Sequence, residues 1–532
     1  MKFIPVYLIF IPIITAMFIY LINNKYFNYL VFISQSIITI LAISYYHAFN
    51  KFIVNNVLLL GGWDKTIGIC LKNDKLSISF IFLSIFIWWM ILIYCWDKRK
   101  KDSKFLFFLM FLEGTFLGLL QSNDLFNLFI FIEITTIIST ILIIYKKDGY
   151  SVRAGLYYLL FNSTGMIFYL LGLILLYVVS GTLNMDIISE KIYPIKNFSI
   201  IKISYIFIIA AIGVKSAFFP VYNWLPKAHG AAPASISALL SGLLVKSGLY
   251  IFIRMNQMFK LEIFYNLFFL FGFFTAISGI IFALSQKDIK QILAFHTISQ
   301  IGIILMGLSS MDGKTYVGGV MHIFNHAMFK SLLFMGAGII INNYRVRRIT
   351  EIRGVFKNLP FTSLFMIVGM LSITGSPFFN GFVSKTIIKH GVADNNLKFI
   401  MLFIVNLGTS VSFIKMSQIF FGESTIERSR HAGSNISMFL LSIMCIILGN
   451  FFIPLTREIF DIDLSHINIM SFDKLLNYIM TMGIGYIIYK NFIAKDYKII
   501  KKIRHFNVSF ETTNVMLVTF ICIMIFYSKL VS

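Results

Sequence analysis

The sequence predicts an all-α polytopic membrane protein, on the basis of its composition, its long apolar runs and the placement of its basic residues. Of the 532 residues, 58% are hydrophobic and only 13% are charged. Soluble domains keep roughly a quarter of their residues charged, so half that fraction indicates a membrane protein. The net charge of +23 comes from short basic clusters between apolar runs, which are typical of membrane anchors rather than of a nucleic-acid surface.

Apolar runs long enough to cross a lipid bilayer recur along the whole chain. A hydrocarbon core of about 30 Å needs roughly 18–25 helical residues. We expect fourteen to sixteen transmembrane helices, and the full set is 3–22, 27–48, 76–96, 104–121, 123–145, 154–180, 201–226, 233–254, 263–285, 289–309, 315–342, 360–392, 397–421, 435–455, 474–493 and 511–530. The first run is followed by span after span, so it is interpreted as the first helix and not as a cleavable signal peptide.

Five basic loops orient these helices. They follow the third, fifth, ninth, eleventh and fifteenth spans and are DKRKKDSK, KKDGYSVR, QKDIK, YRVRRITEIRGVFK and KNFIAKDYKIIKKIRH. All five follow odd-numbered spans, so they lie on one side, and the positive-inside rule makes that side cytoplasmic. With a Phe, Ile, Asn and Lys bias that indicates an AT-rich genome, this predicts a multi-pass protein of the bacterial cytoplasmic (inner) membrane with both termini outside.

Motifs for metals and redox cofactors are not evident. The four cysteines (Cys70, Cys95, Cys445 and Cys522) are scattered without a CxxC, so we expect free buried thiols rather than an iron–sulfur cluster or a zinc site. The chain also has no nucleotide loop or flavin motif. The prediction is therefore no cofactor, no metal and no catalytic chemistry of its own.

Four charged residues fall deep inside predicted spans, where a charge costs about 3 kcal/mol or more. Glu133 lies about ten residues into the fifth span and Lys246 about thirteen into the eighth, which places both near the midplane. Lys215 belongs to the seventh span and Lys385 to the twelfth. Since intramembrane ionisable groups usually mark ion pathways, the four are predicted to form a relay, with static ion pairing as the alternative.

The eleventh span adds His322, His326 and Lys330, spaced at i, i+4 and i+8 on one helical face. The structural alternative for His322 is a hydrogen bond to a neighbouring helix.

Other buried polar residues have structural interpretations that remain open. Glu113, near the middle of the fourth span, could form a static pair with a lysine. Lys415 lies near the cytoplasmic end of its span and can extend its ammonium to water. His296, close to the same side, is expected to be a capping or packing residue.

The seventh and twelfth spans are unusually long and carry glycine and proline beside a lysine, so both are predicted to be broken helices. The predicted breaks are at Gly213, Pro220, Gly375, Pro377 and Gly381. Broken helices at corresponding places in two halves indicate an ion pathway and an internal repeat.

The spacing of the two lysines supports such a repeat. Lys215 and Lys385 are 170 residues apart, and a unit of five spans is automatically inverted in the membrane. We therefore expect two inverted five-helix repeats, and the predicted regions are 1–103 (the first three helices), 104–255 (the first repeat), 263–421 (the second repeat) and 422–532 (the C-terminal helices).

Several stretches of this sequence resemble one protein family. SNDLFNLFIFIE, GVKSAFFPVYNWLPKAHGAAPASISALLSGLLVKSGLY, QKDIKQILAFHTISQIG, HIFNHAMFKSLLF and GSPFFNGFVSK are similar to the antiporter-like membrane subunits of Mrp-type cation/proton antiporters, respiratory complex I and membrane-bound hydrogenases. The resemblance runs from about Glu113 to Phe421. HTISQIG and the lysine at position 385 are more similar to the D subunit of Mrp antiporters, or to the hydrogenase type, than to a complex I subunit with Glu there.

The resemblance implies a proton relay along a hydrated midplane axis. It implies that Glu133 and Lys215 form a coupled pair that opens and closes, while Lys246 passes the proton on to Lys385. The histidines implied are His322 and His326. Two departures from the family pattern lie at element ends: Lys227 in WLPKAH, where an acid is usual, and Phe378 in GSPFF, where proline is common. Lys227 could alter a subunit contact.

The sequence leaves two main functions open. The first is a proton-translocating subunit of a multisubunit Na⁺ or K⁺/proton antiporter, which has other membrane subunits, protons and lipid as partners and no nucleic acid. The second is a proton-pumping subunit of an NADH:quinone oxidoreductase or an energy-converting hydrogenase, whose redox chemistry belongs to partner subunits. A stand-alone symporter or channel would need a substrate site, and none is evident. A membrane scaffold does not account for four midplane charges.

Overall fold

The computed structural model of this chain describes residues 2–51, 56–311, 313–423, 432–460, 462, 464 and 471–531. These residues are almost entirely helical, which confirms the all-α class. The α-helices are, in chain order, α1 (Ile4–Ile22), α2 (Leu30–Asn50), α3 (Lys75–Arg99), α4 (Ser103–Gln121), α5 (Leu125–Ile144), α6 (Gly149–Ser180), α7 (Met185–Ile192), α8 (Ser199–Lys215), α9 (Trp224–Ala231), α10 (Ala234–Leu239), α11 (Val245–Phe259), α12 (Tyr265–Ser285), α13 (Ile289–Gly307), α14 (Gly313–Tyr344), α15 (Val355–Asn358), α16 (Pro360–Thr374), α17 (Asn380–Gly391), α18 (Asn396–Ser417), α19 (Ala432–Asn450), α20 (Phe452–Phe460), α21 (Phe472–Ile488), α22 (Lys498–Arg504) and α23 (Phe510–Val531). An antiparallel hairpin of β1 (Val57–Leu59) and β2 (Cys70–Lys72), which the sequence did not predict, follows α2.

Among the described residues, thirteen helical segments have the length and hydropathy to cross a membrane. The other three predicted spans contain shorter helices. The first of them, 201–226, is α8, of 17 residues, followed by α9, and 360–392 is divided into α16 and α17. The third, 474–493, contains α21, which also has 17 residues. The protein is thus a multi-pass membrane protein, and in its described part three of the predicted spans contain helices that end inside their apolar runs.

Aspartates at the polar gaps set the start of several long helices. Each accepts a hydrogen bond from a backbone N–H in the first helical turn, which satisfies a donor that has no partner within the helix. The capping residues are Asp74, Asp102, Asp124, Asp148 and Asp288. The scarce acids of this chain therefore define helix boundaries at the ends of the apolar runs.

The chain divides into two compact units. The first unit contains Met1–Ser216, Val245–Ile263 and Asn514–Ser532, and the second contains Ala217–Leu244 and Phe264–Thr513. In the first unit α1 packs along α4, α6 packs on α5 and α8, and α11 packs on α8. In the second unit α12 packs along α13 and α18, while α14 contacts α13, α16, α17 and α19. The inverted repeats stay a prediction.

All four cysteines are free thiols. Cys70, Cys95 and Cys445 are buried, as expected, but Cys522 is exposed. The expectation of a buried thiol was therefore wrong at Cys522, because only one face of α23 packs against the rest of the protein.

Candidate functional site

The lysines predicted inside the membrane are all buried in the structure. Lys246 and Lys330 are 0% exposed, and Lys215 and Lys385 are 6% and 7% exposed. Glu133 is half-buried. Since a buried ammonium is costly without polar partners, the contacts of each lysine indicate what it can do.

Lys215 is the last residue of α8, and its ammonium lies among hydroxyl groups of two other helices. Its Nζ donates to Thr136 Oγ1 on α5 at 2.7 Å and to Tyr158 OH on α6 at 3.4 Å. Tyr158 also presents its ring, whose centroid is 5.8 Å from the ammonium. These contacts stabilise the charged form of Lys215 without neutralising it.

Glu133 lies one helical turn before Thr136 on α5, so both side chains are on the same face. Its Oε2 accepts a hydrogen bond from Ser163 Oγ at 3.4 Å, while its buried Oε1 has no hydrogen-bond partner. Lys215 is hydrogen-bonded to Thr136 and Tyr158 rather than to this carboxylate. The carboxylate therefore keeps one oxygen available for an ammonium or a proton.

Lys246 lies close to the start of α11, just after a single π-helical turn at Leu240–Leu244. Such turns occur frequently at functional sites. A Cβ added at Gly248 would lie 2.2 Å from Ser216 Oγ and 3.3 Å from the carbonyl carbon of Lys215. Gly248 thus brings the helix that carries Lys246 against the end of α8.

Lys246, Tyr250 and Arg254 follow one another at i, i+4 and i+8 on α11. Tyr250 OH donates to Leu120 O at 2.6 Å and accepts from Arg254 Nε at 3.0 Å. Arg254 also donates to both carboxylate oxygens of Asp74, at 2.6 and 2.7 Å. Burial raises the pKa of Asp74, but the hydrogen bonds from Arg254 outweigh that effect and hold the pKa at about 2. The ion pair between Arg254 and Asp74 therefore fixes the position of this part of α11.

Beside this ion pair is a cavity of about 170 Å³ lined by polar residues of the first unit. Lys72 Nζ donates to Asp186 Oδ1 at 2.6 Å, and Asn123 Nδ2 donates to Asp186 Oδ2 at 3.0 Å. Lys65 is a second cationic neighbour of Asp186 at 3.5 Å. The cavity has room for water next to the Arg254 end of α11.

In the second unit, His322 on α14 connects two other helices. Its Nε2 lies 3.0 Å from Gln300 Oε1 on α13, and its Nδ1 lies 2.8 Å from Ser384 Oγ on α17. In the neutral ring Nε2–H donates to Gln300 and Nδ1 accepts from the Ser384 hydroxyl. When Nδ1 is protonated it donates to Ser384, whose hydroxyl can turn to Asn380 O at 3.4 Å. His322 can therefore change its protonation state without moving.

Ser384 directly precedes Lys385, whose Nζ donates to Ile373 O at 2.7 Å. This carbonyl is in the last turn of α16, where cations are favoured. Gly375, at φ +81°, ends α16, and a Cβ there would be 3.4 Å from Lys385 Cδ. Lys385 is thus held at the interruption between α16 and α17.

Lys330 and His326 extend this group along α14. Lys330 Nζ donates to Leu293 O on α13 at 2.6 Å and lies 5.6 Å from the ring centroid of Phe334. The ring of His326 is 6.4 Å from that of His322 and meets the Phe329 ring edge-on at 5.4 Å. The predicted face of α14 is therefore present and fully inside the second unit.

His296 was expected to be a capping or packing residue near the cytoplasm. It is fully buried, its ring is 4.7 Å from that of Phe413, and neither ring nitrogen has a hydrogen-bond partner. It lies on α13 between Leu293 and Gln300, within electrostatic range of Lys330. The packing role agrees with the Phe413 contact, but a capping role does not agree with the two nitrogens.

Glu113 does not pair with a lysine. Its Oε1 accepts from Gln35 Nε2 on α2 at 2.9 Å, and its buried Oε2 has no hydrogen-bond partner. Lys415 donates to the last carbonyls of α12, with Leu284 O at 2.7 Å and Gln286 O also in contact. The lysine pairing considered for Glu113 is therefore replaced by a hydrogen bond from the Gln35 amide, and Lys415 is a cap on a helix end.

The residues predicted to break helices differ in where they lie. Gly213 is inside α8, two residues before its end, so the helix ends after Lys215 rather than at this glycine. Pro220 follows a cis peptide bond in the segment between α8 and α9. Pro377 lies between α16 and α17, and Gly381 is in the first turn of α17, where an added Cβ would be 1.9 Å from Ser372 O.

The uncharged partners of the relay candidates were not predicted from the sequence. Thr136, Tyr158, Gln300 and Ser384 contact Lys215 or His322 directly. The run EITTIISTI offered a signal, since four hydroxyl residues follow Glu133 within two turns. A sequence does not show which hydroxyl faces which helix.

Lys227, where the family usually has an acid, makes a contact within the chain. Its Nζ donates to Val508 O at 3.1 Å, in the segment that follows α22.

Among the described residues, no three His, Cys, Asp or Glu side chains are grouped as metal ligands.

Comparison with known proteins agrees with the resemblance in the sequence motifs. The family model described as NADH:quinone oxidoreductase/Mrp antiporter, transmembrane, matches residues 122–414. The chain is 28% identical over 456 residues (83% of this chain, 92% of the relative) to the D subunit of the Na(+)/H(+) antiporter of Alkalihalophilus pseudofirmus. It is 29% identical over 377 residues (67% and 74%) to the N subunit of the NADH-quinone oxidoreductase of Desulforudis audaxviator.

The fold is also similar to a solved structure. A chain of the Mrp complex from Dietzia sp. DQ12-45-1b superposes with a TM-score of 0.80 at 19% identity, covering 95% of this chain and 100% of that one. A likeness at this identity concerns the fold alone. The family match covers more than half of the 532 residues, so the chain belongs to the NADH:quinone oxidoreductase/Mrp antiporter family of transmembrane proteins.

Proposed function

We propose that this chain is the proton-translocating membrane subunit of a multisubunit antiporter that exchanges Na⁺ or K⁺ for protons. The observation that carries the proposal is the environment of Lys215, a buried ammonium held by hydroxyl groups one turn from a carboxylate with a free oxygen. In a static ion pair the two charged groups are in direct contact. Here the Lys215 ammonium is instead hydrogen-bonded to hydroxyl groups, and the Glu133 carboxylate accepts from the Ser163 hydroxyl. The similarity to the D subunit of a Na(+)/H(+) antiporter, over 83% of this chain, favours this function.

In the first unit, the position of the Lys215 ammonium depends on the charge of Glu133. When both are ionised, Coulomb attraction in a low-dielectric interior favours their approach, and the unpartnered Oε1 of Glu133 can accept the ammonium. When either group is neutral, the hydroxyls of Thr136 and Tyr158 hold Lys215 at the end of α8. Lys246 is the next proton acceptor, because its helix packs against that end at Gly248.

In the second unit, protons move along the polar faces of α13, α14 and α17. Lys330 donates a hydrogen bond to Leu293 O, and His296 and Gln300 follow Leu293 at i+3 and i+7 on the same face of α13. His322 then joins Gln300 to Ser384, the residue before Lys385. His326 lies one turn from His322 on the same face.

We also propose a location and an orientation for this protein. The protein spans the bacterial cytoplasmic membrane with both termini outside, and it works together with other membrane subunits. The orientation is supported within the second unit, where three of the basic loops meet around one pocket, at Lys287, Arg347 and Arg504. A shared location is expected of loops on the same side of a membrane.

The second candidate is a proton-pumping subunit of an NADH:quinone oxidoreductase or of an energy-converting hydrogenase. The similarity to the N subunit of an NADH-quinone oxidoreductase, over 67% of this chain, favours it. The same buried lysines would carry the protons, since the antiporter and the redox-driven pump differ only in their source of energy. Electrons would pass through partner subunits.

The two candidates are separated by purifying the native complex in mild detergent, identifying its subunits and measuring its iron. Small membrane partners and no iron support the antiporter, whereas hydrophilic cluster-bearing partners and iron support the redox pump. Everted vesicles with a pH-sensitive dye then test Na⁺ and K⁺ separately. Cation-dependent proton movement is expected in the absence of any electron donor.

A variant of the central lysine tests the relay itself. Lys215→Ala removes the ammonium, so proton translocation should be lost while the protein remains in the membrane at its normal level. Lys202→Ala, on the same helix but outside the buried cluster, is the control and should retain activity. Normal transport by Lys215→Ala would show that the lysine is not a proton carrier.

A further inference from the structure

An open pocket of about 550 Å³ lies in the second unit where three loops meet. The loops are those between α12 and α13, between α14 and α15, and after α22. The cationic side chains that line it are Lys287, Arg345, Arg347, Arg348 and Arg504, against two carboxylates. The proposed transport function does not use this pocket.

Most of these cations are fixed by carboxylates. Arg347 Nε is 2.7 Å from Asp288 Oδ2, and Lys287 Nζ is 2.8 Å from Asp496 Oδ2, which Arg504 also contacts. The hydrogen bond from Arg504 lowers the pKa of Asp496 to about 2, so this carboxylate stays ionised near neutral pH. These pairs hold the three loops together and form a rigid wall.

Two guanidinium groups remain available at the opening. Among the residues that the structure describes, Arg345 has no side-chain hydrogen bond or ion pair, and it is exposed. Arg348 is 71% exposed, and its carboxylate neighbour among the described residues is Glu351, at 3.4 Å in the same loop. The pocket therefore has positive charge that the described protein does not neutralise.

The pocket lies beside the ends of two candidate membrane spans. Arg345 directly follows α14, and Gln286 directly follows α12, and both helices are candidate membrane spans. The 21 residues of α12 match a hydrocarbon core of about 30 Å, so we expect Gln286, next to the end of α12, in the headgroup layer, which is about 5–8 Å thick on each side of a bilayer. Phe506, 62% exposed and stacked on Phe282 at 6.1 Å, supplies an apolar edge beside the charges.

We propose that this pocket binds the phosphate of an anionic phospholipid headgroup. Guanidinium groups bind phosphate through paired N–H donors, and basic pockets beside membrane helices on the cytoplasmic side match such headgroups. Arg345 and Arg348 bind the phosphate, and the acyl chains lie beside Phe506. The bound lipid joins the ends of α12, α14 and α22, so it stabilises the folded protein by mass action.

The test uses the complete complex, stripped of lipid in a neutral detergent. Phosphatidylglycerol, phosphatidylcholine and inorganic phosphate are titrated separately while thermal unfolding is followed, and native mass spectrometry counts the bound lipid. Phosphatidylglycerol alone should raise the midpoint temperature. In the double variant Arg345→Gln/Arg348→Gln, the lipid concentration for half effect should rise by about tenfold or more, because charge-assisted hydrogen bonds are lost.

Lys357→Gln is the matched control, since Lys357 is an exposed cation of the neighbouring helix α15 outside the pocket. Its response to phosphatidylglycerol should equal that of the unmodified protein, and all three proteins should unfold at the same temperature without lipid. Equal stabilisation by phosphatidylcholine, or an unchanged response of the double variant, would overturn the proposal. Full stabilisation by inorganic phosphate would assign the pocket to a free anion. Loss of a protein subunit from the double variant, with its lipid response unchanged, would assign the pocket to an acidic partner.

Discussion

Replacing Thr136 by valine tests the environment of Lys215 without removing a charge. Thr136 Oγ1 donates to Ile132 O at 2.7 Å within α5 and accepts from Lys215 Nζ at 2.7 Å. Valine keeps the branched shape at Cβ but has no acceptor. The variant therefore leaves the buried ammonium with the more distant hydroxyl of Tyr158, at 3.4 Å.

The size of the effect follows from the type of bond that is lost. A hydrogen bond to a charged group contributes about 1.5–3 kcal/mol. Each 1.36 kcal/mol changes a rate tenfold, so if the ammonium form of Lys215 is an intermediate in transport, the rate should fall by about ten- to a hundredfold. The carbonyl of Ile132 also loses one side-chain donor, but it keeps the hydrogen bond from Thr135 Oγ1 and its place in the helix, so the fold should be little affected.

The assay is cation-dependent proton movement in everted vesicles, normalised to the amount of the chain in the membrane. Thr135→Val is the control, because Thr135 Oγ1 donates only to Ile132 O, at 2.8 Å, and is equally buried. It should reduce transport less than twofold. The same subunit composition after detergent extraction would show that both variants assemble.

Two results would refute the reasoning. Unchanged transport in Thr136→Val would mean that the hydroxyl does not support a proton-carrying state of Lys215. Equal losses in Thr136→Val and Thr135→Val would mean that α5 only needs polar side chains for packing.

Three further changes have distinct expected outcomes. Glu133→Gln keeps the shape and removes the charge, so vesicle transport should fall nearly as far as in Lys215→Ala, and full activity would make the carboxylate structural. Asp74→Asn weakens the bidentate contact with Arg254, so thermal unfolding should show a loss of about 1.5–3 kcal/mol. Because the pKa of Asp74 is held at about 2, below the unfolded value of about 3.9, this difference should be constant above about pH 4 and shrink as the pH falls toward 2, and a difference that persists there would contradict the ion-pair origin. Lys415→Met removes the cap on α12, so the melting temperature should fall while transport per folded molecule stays unchanged, and a selective loss of transport would instead place this lysine in the relay.

The positions of the charges along the chain could be predicted, but their partners could not. Lys246 and Lys330 were placed inside long apolar runs, and both are fully buried in the structure. Glu113 was also placed correctly, yet its partner is Gln35, 78 residues earlier. Which helix faces which, and with what rotation, depends on packing across the whole unit, and no local pattern encodes it.

The position of a helix end inside an apolar run was equally hard to predict. Gly213 was expected to break the seventh span, but α8 continues through it to Lys215. A glycine weakens a helix by only about 1 kcal/mol, and tertiary packing easily exceeds that. Gly248 and Gly381 instead allow other segments to approach closely, and nothing in their local sequence distinguishes the two uses.

By itself, the sequence determined the multi-pass α-helical class and the family, and it located the lysines that are buried in the structure, because hydropathy and motif spacing are properties of contiguous residues. Only the tertiary structure decided that Thr136 and Tyr158 hold Lys215, that His322 joins Gln300 to Ser384, and that three basic loops form one pocket. The physical reason is the range of the interactions. Burial in a membrane is set over about twenty neighbouring residues, whereas a hydrogen bond joins atoms within about 3 Å on helices far apart in the chain.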